Sequence, residues 1–339
     1  MENVGKDIDR AAKDLILGNL VVFPTETVYG LGANALNEKA VKSIFKAKNR
    51  PKDNPLIVHV SSIEMAEKIV TNISEIERKL MNMFWPGPLS IILTKNDIIP
   101  DAVTCGLNTV SVRMPDNKLA LELIQKANIP IAAPSANKSG KPSGTNIEDI
   151  YDELKEDVAY FLDDGRSKIG IESTVVKVNE DGKIVILRPG KITVEDLEKI
   201  SKVEVDKNCF REVKKEDIAL SPGMKHRHYA PNAKCTLLSA NDKKKMIEKI
   251  NDIIINSSEN IAFMVMEDII DSVNKKENVK VYNLGSTLDE VSKNIFNSLR
   301  KIDKDNIDIC YIQAVEKKGI GLGIMNRIIR ACEYNIVEV

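Results

Sequence analysis

The chain has 339 residues, 49 Lys and Arg against 50 Asp and Glu, and a formal net charge of −1. At roughly 100–200 residues per domain it should hold two domains. Its balanced charge argues against a surface given over to nucleic acid, though not against a local basic cleft, and an aromatic content of 4% leaves few rings for base stacking. No run nears the ~20 apolar residues of a membrane span, and the N-terminus lacks an apolar signal core. Cys105, Cys209, Cys235, Cys310 and Cys332 are scattered, with no C-x-x-C pair. Free thiols and a cytoplasmic location are therefore expected.

In chain order, apolar runs predict strands at 20–23, 56–60, 89–94, 109–113, 129–133, 159–162, 174–178 and 184–187. Helical patterns fall at 7–17, 38–48, 63–70, 74–83, 118–127, 147–151 and 194–200. The mixture reads as α/β with α+β character: a large mixed sheet with helices that do not alternate strictly with strands. From 203 the chain becomes charged and weakly periodic, and Ser221–Pro231 is a basic stretch bracketed by prolines. Beyond it, strands at 235–238, 261–266, 280–283 and 307–314 alternate with helices at 242–255, 288–302 and 323–331, a small Rossmann-like domain. Overlapping capping boxes are expected at 286–289 and 287–290. The divisions expected are 1–205, a 206–232 linker and 233–339.

Three windows carry candidate chemistry. Pro24-Thr-Glu-Thr-Val-Tyr-Gly-Leu-Gly32 follows a strand, and its glycines suit either a backbone approach to a ligand or a tight strand–helix turn. Lys46, Lys48, Arg50 and Lys52 occupy alternate positions before Pro55. If the chain is extended there, they form a cationic rail suited to polyphosphate. Pro134-Ser135-Ala-Asn137-Lys-Ser-Gly140 and Ser143 offer short polar side chains and backbone N–H groups for phosphate oxygens, without P-loop spacing. Thr109 to Arg113, Glu172-Ser173-Thr174 and Leu187-Arg188-Pro-Gly place hydroxyls and guanidinium groups at strand ends, so six strand ends should converge on one electropositive cavity.

With histidine only at 59, 226 and 228, and no H-E-x-x-H or G-x-S-x-G, triad or catalytic-zinc hydrolysis is disfavoured. Charge stabilisation and positioning on a nucleotide is favoured. Gly319-Ile-Gly-Leu-Gly323 imitates half of a dinucleotide fingerprint, and backbone packing or an interdomain contact is the preferred reading.

Taken in order, these motifs resemble the threonylcarbamoyl-AMP synthase family with its YrdC-like fold. The resemblance rests on Pro24–Gly32, Lys48-Asn-Arg50, Asn54-Pro-Leu with His59, Ser111-Val-Arg-Met-Pro115, Ser135-Ala-Asn137, Glu172-Ser-Thr-Val and Leu187-Arg-Pro-Gly. It extends to His228-Tyr229-Ala-Pro231 and the C-terminal Gly-Ile-Gly-Leu-Gly-Ile-Met-Asn-Arg, as in the long, two-domain form.

The resemblance implies that L-threonine, bicarbonate and ATP give threonylcarbamoyl-AMP and pyrophosphate, making the protein a nucleotidyltransferase. The product would feed a tRNA threonylcarbamoyl-transfer complex acting on the adenosine beside the anticodon. Thr27, His59, Arg113, Ala133 through its backbone, and Ser173 would hold threonine, with Arg113 on its carboxylate. Arg50, Asn54, Thr109, Ser135, Ser143, Arg188 and Tyr229 would hold ATP. Lys48, Arg50, Ser135 and Asn137 form the catalytic elements. Tyr229 would place the linker over the cleft as a lid. Mg2+ is expected with ATP, its ligands mostly phosphates and water. Two other classes stay open: an RNA-binding module, with weak RNA affinity as a further partner, and a carbamoyltransferase with a different acceptor.

Overall fold

The computed structural model describes residues 3–212 and 229–339. Within these the chain forms two compact units, one of residues 3–139 and 143–212 and the other of residues 140–142 and 229–339.

The first unit is built on an eleven-stranded mixed sheet. Its strands are β1 (Val4–Gly5), β2 (Val21–Phe23), β3 (Gly30–Asn34), β4 (Ile57–His59), β5 (Leu89–Thr94), β6 (Thr109–Arg113), β7 (Ile131–Ala133), β8 (Tyr160–Leu162), β9 (Thr174–Val178), β10 (Ile184–Arg188) and β11 (Val203–Val205). Their order is β1-β8-β2-β3-β7-β4-β6-β5-β9-β10-β11. β4 and β6 run parallel, whereas β7 is antiparallel to both β3 and β4. The central strands β4 and β7 are buried along their whole length, and β3, β5 and β6 over most of theirs, which explains their largely apolar sequences. Leu31, Val58, Ile91, Val112 and Val176 pack with helix residues Val41, Ile44 and Leu80 in the principal core. A second cluster closes Phe23, Ile131 and Leu162 under the helices Ile8–Ile16 and Lys118–Ala127.

Three local expectations are corrected. Gly30 and Gly32 belong to β3, which pairs antiparallel with β2, so they form neither a turn nor a ligand-binding loop. They are small because a Cβ on Gly30 would lie 3.0 Å from the Phe23 ring, and one on Gly32 2.8 Å from Ile131. The Glu38–Lys48 helix runs through Lys46 and Lys48 and is capped by Asn49 at φ 51°, so the four cations do not form an extended rail. Lys46 is exposed while Lys48 is buried. The helix expected at 147–151 starts later, at Tyr151–Leu154. Asp149 N donates to Asn146 Oδ1, and that local turn occupies the first half of the window.

The second unit carries an all-parallel sheet of β12 (Lys234–Ser239), β13 (Ile261–Val265), β14 (Val279–Asn283), β15 (Ile309–Gln313) and β16 (Ile336–Glu338), ordered β14-β13-β15-β12-β16. The helices Lys243–Asn256, Leu288–Lys304 and Ile320–Ala331 make three of the four connections, and the 3-10 helix Glu267–Ser272 lies in the one from β13 to β14. Of the two overlapping boxes only Thr287/Glu290 forms, because Thr287 is the N-cap; Ser286 also donates to Glu290. The glycine run is a packing device: a Cβ on Gly321 would sit 2.0 Å from the Glu316 carbonyl.

Candidate active site

Strand direction sorts the expected site residues into two groups. His59 ends β4 and lies opposite Arg113, which ends the parallel β6. β5 runs back along β6, so Ser90 near its start lies at this same edge. Leu89 pairs with Thr174 at the start of β9, which brings Ser173 there, and Arg188 at the end of β10 pairs with Val175. The other edge of the same strands begins with Thr109 on β6 and, ahead of β4, Asn54. β7 is antiparallel, so Ser135, which follows it, leaves at that second edge and bridges Gly30. Thr109 and Arg113 are four residues apart on one strand, about 13 Å at ~3.3 Å per residue. The strand ends therefore do not meet on one edge, and loops must join the two groups.

The first group is buried and bonded to itself. Arg113 Nη1 donates to Thr27 Oγ1 at 2.9 Å and Nε to the Gly87 carbonyl at 3.2 Å. Its Nη2 stands 2.5 Å from Glu26 Oε2, with both side chains almost wholly buried. Thr25 Oγ1 donates to the Val28 carbonyl at 2.6 Å, so in the 2.8 Å Thr25–Thr27 contact the hydrogen comes from Thr27. The Thr27 oxygen is left as an acceptor. Phe23 meets the His59 ring edge-on at 5.6 Å between centroids. Burial first, and then the Arg113 charge, push the His59 pKa down to about 3, so its imidazole is neutral. Ser173 Oγ accepts from Arg188 at 3.0 Å and contacts Ser90 Oγ at 2.8 Å. Ala133, by contrast, is buried at the end of β7 opposite Ile57, at the start of β4 and so toward the second edge.

In the second group, cations hold backbone. The buried Lys48 ammonium donates to the Ser135 carbonyl at 2.5 Å and to that of Asn137. Ser135 Oγ donates to Asn137 Oδ1 at 2.6 Å, so these two side chains orient each other. Arg50 donates to the carbonyls of Asn54 and Pro55 at 3.2 and 3.1 Å and remains half-buried. The Asn54 side chain is buried, with neither polar atom hydrogen-bonded among the described residues. Thr109 and Ser135 are also half-buried.

Two loops join the groups. The 24–29 loop carries Thr27 to Arg113, while the Tyr29 carbonyl accepts from Ala136 N at 2.7 Å. Ser143 donates to Glu172 Oε1 at 2.5 Å, next to Ser173. Tyr229 belongs to the second unit, stacked on Phe296 at 5.1 Å with the Arg327 guanidinium 5.9 Å from its ring centre. Of the expected 206–232 linker, residues 206–212 pack in the first unit with a 3-10 turn at Lys207–Cys209, and 213–228, including His226 and His228, lie outside the described residues.

Glu26 and Ser90 were passed over in the sequence. Glu26 could have been flagged as an acid inside an otherwise apolar and hydroxyl-bearing run; Ser90 gives no such signal. Among the described residues no group of three His, Cys, Asp or Glu side chains is placed to hold a metal ion, and no helix is long and apolar enough to cross a membrane.

The fold and the two-group site define a YrdC-like α/β enzyme with an appended parallel-sheet domain. The family model for Sua5, YciO and YrdC, described under telomere recombination, matches residues 14–190, and that for the threonylcarbamoyl-AMP synthase C-terminal domain matches 192–332. The chain is 42% identical over 323 residues to the threonylcarbamoyl-AMP synthase of Pyrococcus abyssi, covering 95% of this chain and 93% of the relative. It is 40% identical over 333 residues to that of Bacillus subtilis, covering 98% and 94%. The crystal structure of P. abyssi Sua5 complexed with L-threonine superposes with a TM-score of 0.91 at 39% identity, over 99% of this chain and 98% of that one. The chain belongs to the threonylcarbamoyl-AMP synthase family, in its two-domain form.

Proposed function

We propose that the His59–Arg113 edge holds L-threonine, that the Lys48–Arg50–Ser135 edge holds ATP, and that bicarbonate joins them. The activity is that of the family, a nucleotidyl transfer giving threonylcarbamoyl-AMP. The observation that carries the assignment is the buried Arg113 cluster, with Thr27 as acceptor and a neutral His59, at the far end of strands whose other end carries Lys48 and Arg50. The P. abyssi relative's complex with L-threonine supports the same choice of amino acid.

Arg113 takes the carboxylate through its guanidinium fork. Thr27, His59, Ser173 and the Ala133 backbone surround the side chain. The threonine amine and bicarbonate give a carbamate and water. A carbamate oxygen then forms a bond to the α-phosphorus, and the bond to pyrophosphate breaks. Arg50, Asn54, Thr109 and Ser135 of the second group hold the nucleotide, together with Ser143 of the joining loop and Arg188 from the first group. Lys48 sets the Ser135–Asn137 loop through its carbonyl bonds. Rate acceleration comes from proximity and from cations facing developing phosphate charge. Magnesium enters in this reading as part of the ATP substrate, coordinated mainly by its phosphates and water.

The product passes to a tRNA threonylcarbamoyl-transfer complex in the cytoplasm. The test is pyrophosphate release from ATP. The account expects release only when threonine and bicarbonate are both present; equal release without either contradicts it.

A further inference from the structure

Among the described residues Glu26 is the acid paired with Arg113, and it is 4% exposed against 3% for Arg113. Its Oε2 is 2.5 Å from Arg113 Nη2, yet neither carboxylate oxygen has an aligned hydrogen-bond donor among the described residues. An ionised carboxylate offers about four acceptor positions. A buried one left with bare lone pairs is costly, and a counter-ion alone does not satisfy it. The neighbouring hydroxyls do not help: the Thr25 hydrogen goes to Val28 and the Thr27 hydrogen to Thr25. The neutral His59 brings no positive charge to the cluster.

An α-amino acid carries a carboxylate and an ammonium on one carbon. A guanidinium and a carboxylate held in contact form the opposite pattern. Resting on the reading of this edge as the threonine site, we propose that Glu26 binds the ammonium of the amino-acid substrate and accepts its proton when the carbamate forms. The ammonium N–H bond breaks and its proton moves to Glu26 Oε1. The freed nitrogen lone pair forms the N–C bond to the carbon of bicarbonate, and a C–O bond leaves with water as the second product. The sum is R–NH3+ plus HCO3− plus Glu–COO− giving R–NH–COO−, H2O and Glu–COOH. Protonation removes the carboxylate charge just as the carbamate charge appears beside it. Glu26 is thereby also the residue that makes the site choose an amino acid over a hydroxy acid.

The experiment compares binding of threonine with that of (3R)-3-hydroxybutyrate, which is threonine with hydrogen in place of the ammonium, using the full chain. Wild type should bind threonine at least about tenfold tighter, and Glu26→Gln should bring the two within about threefold. At saturating threonine, bicarbonate and ATP, Glu26→Gln should lower kcat at least about tenfold, and Glu26→Asp should restore part of it. A counter-ion that merely held Arg113 in place would weaken both ligands alike and leave their ratio unchanged. The wild-type comparison stands even if the Gln variant fails to fold: equal binding of the two ligands overturns the inference. So does an unchanged ratio or an unchanged kcat in the variant. Those results, with threonine still bound by wild type, leave the functional reading intact; absence of threonine binding to wild type overturns both.

Discussion

The two edges of the first unit's sheet solve different problems with the same side chains. At the Arg113 edge the guanidinium is buried and meets an opposite charge, a hydroxyl and a carbonyl. At the Lys48 edge Lys48 donates to the Ser135 and Asn137 carbonyls, Arg50 donates to those of Asn54 and Pro55, and Arg50 keeps part of its surface. A buried, counter-charged guanidinium is fixed in geometry and suits a small substrate of defined shape. A half-buried guanidinium keeps a face open to a larger, more highly charged ligand such as a polyphosphate. Local sequence alone would have put both edges in one electropositive pocket.

The largest expected effect lies at the first edge. Arg113→Ala strands Glu26 as an uncompensated buried charge, which costs about 3–5 kcal/mol of folding stability and removes threonine binding. Urea unfolding and threonine calorimetry check both halves; a variant with wild-type midpoint would make the pair a surface-like contact. At the second edge, Arg50→Ala should lower the rate of adenylate formation at least about tenfold with threonine affinity kept. Arg50→Lys should recover only part of it, since the planar fork is lost. Equal loss of threonine affinity would merge the two edges into one.

Glycines sharpen the comparison further. A Cβ at Gly190 would come within 2.6 Å of Thr174 N and 2.7 Å of the Glu172 carbonyl, so Gly190→Ala displaces Ser173. A stability loss of about 1–3 kcal/mol should accompany weaker threonine binding. The still closer clash in Gly321→Ala, 2.0 Å from the Glu316 carbonyl in the second unit, should cost stability there and leave threonine affinity within about twofold. Thermal unfolding and calorimetry on both variants decide.

The smallest effect is a pH slope. His59 falls from its ordinary value to about 3 on folding, because burial and Arg113 disfavour its charge. The unfolded chain therefore binds one more proton between about pH 6.5 and 3. Stability conferred by the neutral ring is fully present above 6.5 and declines as pH falls, by at most about 1.4 kcal/mol per pH unit. Replacing His59 by Gln should flatten that slope in denaturant titrations between pH 7 and 5, and an unaltered slope would assign it to carboxylates elsewhere.

Much of this was legible because burial writes itself into sequence. Strands such as β5 and β6 match their apolar runs, and the Glu38–Lys48 helix matches its pattern end to end. β3 was not, because Gly30 and Gly32 read as turn residues when their smallness serves Phe23 and Ile131 across the sheet. The division into two edges was hidden for a similar reason: it depends on β7 running antiparallel to β4, a long-range pairing with no local signature. Glu26 escaped notice because its meaning lies in a partner on β6, far along the chain.

The central claim is that the Arg113 edge is built for threonine. The most direct measurement is mass detection of aminoacyl-carbamoyl adenylates after incubation with ATP, bicarbonate and a panel of amino acids that includes valine. Valine matches threonine in shape but leaves the Thr27 acceptor without its hydroxyl partner, a difference of about 1–3 kcal/mol. The account predicts a threonylcarbamoyl adenylate formed in clear preference to the valine product; equal formation of the two, or none from threonine, would contradict it.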